Sequence, residues 1–127
     1  MQTTNPVVWF EIYVNDINRA RRFYETVLNL KLSELPMPET DGFKMLAFPG
    51  GPEGAGSTGA LVHMNGVEPG GNSTVVYFRS DDCSIEEARV EAAGGKIMKP
   101  KESIGPYGFI SLVYDPDGNV IGLHSMA

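Results

Sequence analysis

The fold is decided by residues 7–28, which read VVWFEIYVNDINRARRFYETVL. Residues 7–14 are rich in aromatic and β-branched side chains, and such a run is typical of a β-strand. Asp16 is a residue type that commonly caps a helix, and over 17–28 the apolar residues recur at helical spacing. The sequence therefore predicts one strand followed directly by an amphipathic helix.

The residues after this helix predict three shorter strands and then a linker. Several glycines separate the second of these strands from the third and predict a loop. Glycine, proline and asparagine dominate residues 65–73, a composition typical of a linker. The first half of the chain is thus a βαβββ module over 7–64, whose later strands are predicted at 30–35, 44–48 and 59–64.

The order of elements then repeats. Residues 74–79 predict a strand, and Ser84 stands three residues before Glu87, which is a capping-box pattern at a helix start. Gly94 is a plausible C-terminal cap for this second helix. One face of the helix is predicted to be apolar and to pack inward, and it carries Ile85, Ala88 and Ala92.

The second module ends in strands, and its last two are joined by a hairpin turn at Asp117–Gly118. A module of this size cannot be stable alone, because its sheet needs a cover. We therefore expect one α+β domain over 1–127, in which module 1 (7–64), the linker (65–73) and module 2 (74–127) form an incomplete curved barrel with the helices outside. The remaining strands of module 2 are predicted at 96–99, 109–114 and 119–125.

Both halves resemble the vicinal oxygen chelate superfamily, which includes glyoxalase I, bleomycin-resistance proteins and extradiol dioxygenases. The resemblance implies a paired βαβββ fold, a concave cavity on the sheet and often a homodimer, but it implies no single reaction. It covers nearly the whole chain and rests on the order and spacing of several short motifs, which lie at 8–16, 19–20 and 23–25 in the first half and at 91–96, 107–109, 115–119 and 121–124 in the second.

Composition excludes several other classes of protein. Apolar residues make up 42% of the chain and charged residues 20%, which is usual for a globular protein. The net charge is −6 without a basic cluster, so we expect neither nucleic acid nor a membrane as a partner. The one cysteine excludes an intrachain disulfide and a cysteine-based zinc site. No apolar run approaches about 20 residues and no signal-peptide pattern is present, so we expect a soluble cytoplasmic protein.

Strand alternation sorts the side chains that face the predicted cavity. In the fourth strand the alternation favours Leu61 on the cavity side, because Ala60, Val62 and Met64 would then face the helices. That choice would bring His63 to the cavity as well. In the other strands the predicted cavity side carries Trp9, Glu11 and Tyr13, then Val75, Tyr77 and Arg79, and finally Val120, Gly122 and His124.

The resemblance implies metal-binding His and Glu residues on these strands, and this chain departs from that pattern. The implied positions match residue types that bind metals poorly. We therefore expect no standard glyoxalase I site, and the cofactor stays unknown. A divalent metal would have to use Glu11, His63 and His124, since the implied positions carry Trp9, Val62 or Leu61, Val75 or Thr74, and Gly122.

Two functions of different class remain open. The first is an enzyme of lyase, isomerase or dioxygenase type, in which Glu11 and His124 are catalytic and His63 assists. The second is a bleomycin-resistance-type protein that sequesters a flat or aromatic molecule without chemistry. Each residue also has a structural alternative: Glu11 pairing with Arg79, an exposed His124, and aromatic side chains that only fill the core. The predicted ligand-binding set is Trp9, Tyr13, His63, Tyr77, Arg79 and Tyr107.

The expected partners are a small molecule and a second copy of this chain. The resemblance implies the homodimer, and open edge strands of two half-barrels would favour one.

Overall fold

The computed structural model describes residues 5–35, 42–51 and 53–127. Neither α-helix in these ranges has the run of apolar residues that crossing a bilayer needs. In chain order the elements are β1 (Trp9–Tyr13), α1 (Ile17–Leu28), β2 (Ser33–Glu34), β3 (Phe43–Ala47), β4 (Thr58–Met64), β5 (Val76–Arg79), α2 (Cys83–Glu87), β6 (Lys96–Ser103), a 3₁₀ helix (Gly105–Tyr107), β7 (Phe109–Tyr114) and β8 (Val120–Ser125).

Two four-stranded sheets follow the same plan. Their strand orders are β1-β4-β3-β2 and β5-β8-β7-β6. In each sheet the first strand pairs in parallel with the last, and the other pairs are antiparallel. The repeat predicted from the order of elements is therefore confirmed, and the fold is α+β with two open sheets.

Helix α1 has the predicted bounds. The Asp16 carboxylate accepts hydrogen bonds from the backbone nitrogens of Asn18 and Arg19, both at 3.1 Å, and so caps the helix. Asn29 ends it in the left-handed conformation with φ of 54°. The apolar residues of one face are buried, and they are Ile17, Ala20, Phe23, Tyr24 and Val27.

Helix α2 corrects three predictions. It ends at Glu87 with Ala88 as its C-terminal cap, so Gly94 is not the cap. Its N-terminal cap is Asp82, whose Oδ1 accepts from the Ser84 nitrogen at 3.0 Å, so Ser84 lies inside the helix rather than capping it. The predicted inner face is wrong, because Ile85, Ala88 and Ala92 are exposed. Glu87 turns inward instead, since its Oε1 accepts from the Ser111 hydroxyl at 2.8 Å and from the Lys101 nitrogen at 2.6 Å.

Strands β2 and β6 differ in length from the prediction. Strand β2 shrinks to Ser33–Glu34, whereas β6 runs past Pro100 to Ser103. Proline is tolerated there because β6 is the edge strand of its sheet. The pairing of β6 with β7 also shifts register twice around Lys99, which is the irregularity that an edge proline commonly brings.

One aromatic cluster joins the two sheets. The ring centroids of Phe10 and Phe48 lie 5.5 Å apart, and each lies within 5.8 Å of the Phe78 centroid. Tyr24 of α1 packs edge-on against Phe48 at 5.7 Å. Because Phe10 and Phe48 come from the first half and Phe78 from the second, the two sheets share a single core.

Buried polar groups also connect the halves, at the turn between β7 and β8. The Tyr24 hydroxyl donates to Asp115 Oδ2 at 2.7 Å, and Arg19 Nη2 donates to Asp117 Oδ1 at 2.7 Å. Burial raises the pKa of the Asp115 carboxyl, and it also raises the pKa of the Tyr24 hydroxyl well above its ordinary value. Gly118 has φ of +82°, and the hairpin turn predicted there is confirmed.

Candidate functional site

Alternation along β1 separates two faces. Ile12 and Val14 are buried in the core, with Phe10 packed against them. Trp9, Glu11 and Tyr13 therefore point to the other side, as predicted. We call this side of β1, β5 and β8 the open face, and it carries Trp9, Glu11, Tyr13, Tyr77, Arg79, Gly122 and His124.

Glu11 lies between two aromatic donors. Trp9 Nε1 donates to its Oε2 at 3.3 Å, and the Tyr13 hydroxyl donates to its Oε1 at 3.0 Å. The hydrogen bond to Glu11 raises the pKa of the Tyr13 hydroxyl, so Tyr13 stays a neutral donor. The alternative pairing of Glu11 with Arg79 is not found among the ion pairs of the described residues. Glu11 is thus an exposed carboxylate oriented by aromatic side chains.

Tyr77 occupies the space next to Gly122. The two residues are partners in the parallel pairing of β5 and β8. A Cβ atom on residue 122 would lie 2.3 Å from Tyr77 Cδ2, closer than any real contact. The glycine therefore lets the aromatic ring of Tyr77 lie against β8 while 48% of the residue stays exposed.

His124 orients a neighbouring turn. Its Nε2 lies 2.7 Å from the Tyr107 carbonyl oxygen. Because a carbonyl only accepts, Nε2 carries the proton and donates. The Tyr107 residue itself is 72% exposed, in the short 3₁₀ helix. His124 is thereby held on the open face, with one ring nitrogen already bonded to the backbone.

The predicted orientation of β4 is wrong, and the predicted face of His63 is therefore wrong as well. Leu61 lies in the hydrophobic core, where it pairs with Ile12 and Leu46. His63 therefore lies on the side opposite Glu11, and its Nδ1 is 3.0 Å from the Val14 carbonyl oxygen. Alternation carried no signal in this strand because Ala60, Leu61 and Val62 are all fully buried.

The residues present do not fit the metal site that the resemblance implies. Glu11 and His63 lie on opposite faces of the sheet, so the predicted set of Glu11, His63 and His124 does not converge. The Trp9 indole bonds to Glu11, and Tyr77 fills the space of a side chain at residue 122. Within 5–35, 42–51 and 53–127, no three His, Cys, Asp or Glu side chains are grouped as metal ligands.

A cleft extends the open face between β1 and the linker. Its volume is about 290 Å³, and it is bounded by Glu11 and Tyr13 on one side and by residues 67–70 on the other. We call it the linker cleft. Its position brings the linker to the candidate site, which alternation along the strands could not predict.

Asparagine side chains hold the linker in place. Asn72 Nδ2 donates to the Val120 carbonyl at 3.1 Å, and its Oδ1 accepts from the Val120 nitrogen at 3.0 Å. Asn119 accepts from the Gly70 nitrogen at 2.7 Å and donates to the Tyr13 carbonyl at 2.9 Å. Sequence reasoning missed both asparagines, and their only signal was a polar residue among turn formers.

Sequence and structure comparisons relate this chain to one superfamily of proteins. A sequence model of the Glyoxalase/Bleomycin resistance protein/Dioxygenase superfamily matches residues 7–123. CFP32 of Mycobacterium tuberculosis, which carries a provisional glyoxylase name, is 26% identical over 117 residues. That match covers 91% of this chain and 43% of CFP32, so this chain spans less than half the length of that relative.

Two solved structures illustrate the range of similar folds. TnmS3, an antibiotic-binding protein from Streptomyces sp. CB03234, is 28% identical with a TM-score of 0.66, and the match covers 100% of both chains. A mutant glyoxalase I from Zea mays gives a TM-score of 0.74 at 22% identity, over 95% of this chain and 47% of the maize chain. The maize protein is similar in fold alone.

Proposed function

The chain belongs to the glyoxalase/bleomycin resistance protein/dioxygenase superfamily, and on that premise we propose that it binds and sequesters a small aromatic molecule on the open face without changing it chemically. Family membership leaves the reaction, if any, undetermined, because this fold hosts several activities. The proposal therefore rests on the side chains of the site.

The observation that carries the proposal is the aromatic character of the open face. Trp9 and Tyr77 are 40% and 48% exposed, although both are large aromatic residues in strands. Tyr13 and Trp9 both donate hydrogen bonds to Glu11, which places these two aromatic residues on either side of one carboxylate. Aromatic side chains supply large contact areas to planar ligands, and a few oriented polar groups between them fix the ligand's position.

The similarity to TnmS3 supports a binding function. That protein is described as antibiotic-binding, and the two chains match over their whole lengths. The maize glyoxalase match, in contrast, covers only 47% of the maize chain. We therefore extend a small-molecule ligand, though not its identity, from TnmS3 to this chain.

An enzyme of lyase or isomerase type is the second candidate. The observation in its favour is Glu11, an exposed carboxylate with the Tyr13 hydroxyl 3.0 Å away. Glu11 could take a proton from a carbon acid while Tyr13 donates to the oxygen that becomes negative. Against it, His124 has one ring nitrogen bonded to Tyr107, and the positions that the resemblance implies carry no metal-binding side chains.

We also propose that the protein forms a homodimer that covers part of the open face. The support is the exposure of two large aromatic residues, Trp9 on β1 and Tyr77 on β5, which a second copy would cover. Among the described residues, β1 and β5 each pair on one side only, which leaves an edge of each strand open to a second copy. The ligand would then lie between the two copies.

Calorimetric titration with uncharged planar aromatic compounds tests the binding function. Tyr77→Ala removes one aromatic surface, and we expect its affinity to fall about tenfold. Ile85→Ala is the matched control, because Ile85 is an exposed apolar residue on α2 rather than on the open face. Equal affinity of the Tyr77→Ala variant and the parent would contradict the proposal that the ligand binds on the open face.

A further inference from the structure

We propose that the linker cleft selects a positive charge, so that the ligand is a small organic cation with an apolar aromatic body. This inference rests on the function proposed above, because the cleft opens from Glu11 and Tyr13 of the open face. It adds the charge of the ligand, which the aromatic side chains alone leave undetermined.

The form of the cleft suits part of a small molecule. Its volume of about 290 Å³ lies near the lower end of ordinary small-molecule sites, which span about 300–1,000 Å³. Phe10, Ile12, Val76 and Ile121 contribute apolar walls. Burial of the methyl or ring carbons of a compact group against these walls would favour binding, because apolar surface is removed from water.

The charges around the cleft all have one sign. Glu11 lines it from β1 and Glu68 lines it from the linker. No lysine or arginine stands among the described residues that line it. Arg19, which is outside the lining set, is paired with Asp117. The cleft therefore combines two carboxylates with apolar walls, an arrangement that attracts cations and repels anions.

Glu11 keeps capacity for a further partner. Among the described residues, each of its carboxylate oxygens accepts one hydrogen bond, Oε2 from Trp9 and Oε1 from Tyr13. An ionised carboxylate has about four acceptor sites in all, so room for an incoming ammonium remains. Tyr13 is also among the lining residues, and aromatic side chains attract cations directly.

The linker that carries Glu68 is held in a defined position. The two hydrogen bonds between Asn72 and Val120 fix its end, and the Gly70 bond to Asn119 fixes its middle. Gly70 has φ of +86°, a conformation that residues with side chains rarely adopt. A site wall that is already ordered loses less entropy on binding than a free loop would.

Three ligands with one aromatic body test the inference. They are naphthylmethyl-trimethylammonium, its uncharged tert-butyl-type isostere and naphthylacetate, each titrated calorimetrically into the full chain. We expect the cation to bind about tenfold more tightly than the neutral compound, and the anion to bind most weakly. Added salt should reduce the preference, because solvent-exposed charges are screened.

Variants locate the charge effect. Glu68→Gln should weaken binding of the cation about two- to fivefold while leaving the neutral compound unchanged. Glu91→Gln removes one exposed carboxylate outside the cleft and should change neither. Circular dichroism checks that both variants fold.

The outcomes separate this inference from the proposed function. Equal affinity for the cation and the neutral compound would overturn the charge selection and leave an aromatic binding protein. Equal effects of Glu68→Gln and Glu91→Gln would show that only net charge matters and would also overturn the cleft as the selective site. Binding of none of the three ligands would contradict the inference and the proposed function together.

Discussion

The contact between Tyr77 and Gly122 shows how much depends on one missing side chain. The two residues are far apart in sequence and meet only through the register of β5 with β8. The absence of a Cβ on residue 122 lets the ring lie against the sheet. At the position where the resemblance implies a metal ligand, the protein thus presents an aromatic surface.

Gly122→Ala should disturb this contact specifically. The new Cβ would lie 2.3 Å from Tyr77 Cδ2, so the ring must move away from β8. We expect the free energy of unfolding to fall by about 1 kcal/mol, because the half-exposed ring can turn towards solvent, which costs less than overpacking a closed core. Urea denaturation of the variant and the parent measures the difference.

The control for that prediction is the same substitution in a variant that lacks the Tyr77 ring. In a Tyr77→Ala background Gly122→Ala should cost little, because nothing then occupies the space. The two substitutions form a double-mutant cycle whose coupling term isolates the contact. Equal costs in the two backgrounds would contradict the account of residue 122.

At the scale of elements, sequence patterns predicted α1 fully and α2 poorly. For α1 the capping residue Asp16 and the apolar spacing agree, and the helix has the predicted bounds Ile17–Leu28. For α2 the pattern placed Ile85 inward, whereas the structure turns Glu87 inward to meet Ser111 and Lys101. Those two partners lie on β6 and β7, so a local pattern could not have revealed them.

Strand β4 illustrates a second limit. Alternation predicts faces only where one side of a strand is polar, and β4 is buried on both sides at Ala60, Leu61 and Val62. In β1 the polar Glu11 interrupts the apolar residues, and the face on which Glu11 lies was predicted correctly. The face of His63 was predicted wrongly for the same reason as that of Leu61, because both were assigned from the alternation in β4.

The cap of α2 should make stability depend on pH. The hydrogen bond from Lys101 Nζ, at 2.8 Å, is the main reason that the pKa of Asp82 falls from 3.8 to about 2. A pKa lowered in the folded state gives stability that is present above the unfolded value and lost as pH falls towards the folded value. Asp82 therefore stabilises the fold fully above pH 3.8 and progressively less towards pH about 2.

Asp82→Asn tests this dependence, because asparagine still caps a helix but carries no charge. We expect the variant to be less stable than the parent at neutral pH and to approach it as pH falls below 3.8. Chemical denaturation across that range measures both, and Asp81→Asn serves as the exposed neighbouring control. A difference in stability between variant and parent that stays constant down to pH about 2 would show that the ion pair with Lys101 is not its cause.

At the scale of the whole molecule, the two halves of the chain are joined by shared contacts. Phe10, Phe48 and Phe78 form a cluster that draws on both halves. The bond from Tyr24 to Asp115 links α1 to the turn before β8. The order of elements predicted the repeat. These contacts form only when the two halves pack together, so no local sequence pattern could predict them.

Tyr24→Phe removes the polar link and keeps the ring. Loss of a buried donor to Asp115 should lower the free energy of unfolding by about 1–3 kcal/mol. Because the hydroxyl stabilises the ionised carboxyl, the deficit should be larger at neutral than at acidic pH. Tyr107→Phe, which removes an exposed hydroxyl, should change stability by less than about 0.5 kcal/mol.

The form of the unfolding curve bears on the shared core. One cooperative transition, seen alike by Trp9 fluorescence and by circular dichroism, is expected for two sheets packed around one cluster. Separate transitions for the two probes would contradict a shared core and would make each module an independent unit.

The central claim, sequestration without chemistry, is tested most directly by Trp9 fluorescence combined with recovery of the ligand. Trp9 is the chain's single tryptophan and lies on the open face, so its emission reports on that face alone. We predict saturable quenching by a planar aromatic cation, with stoichiometric recovery of the unchanged compound by mass spectrometry after prolonged incubation. Unaltered Trp9 emission at saturating ligand, or recovery of a converted product in excess of the protein, would contradict the claim.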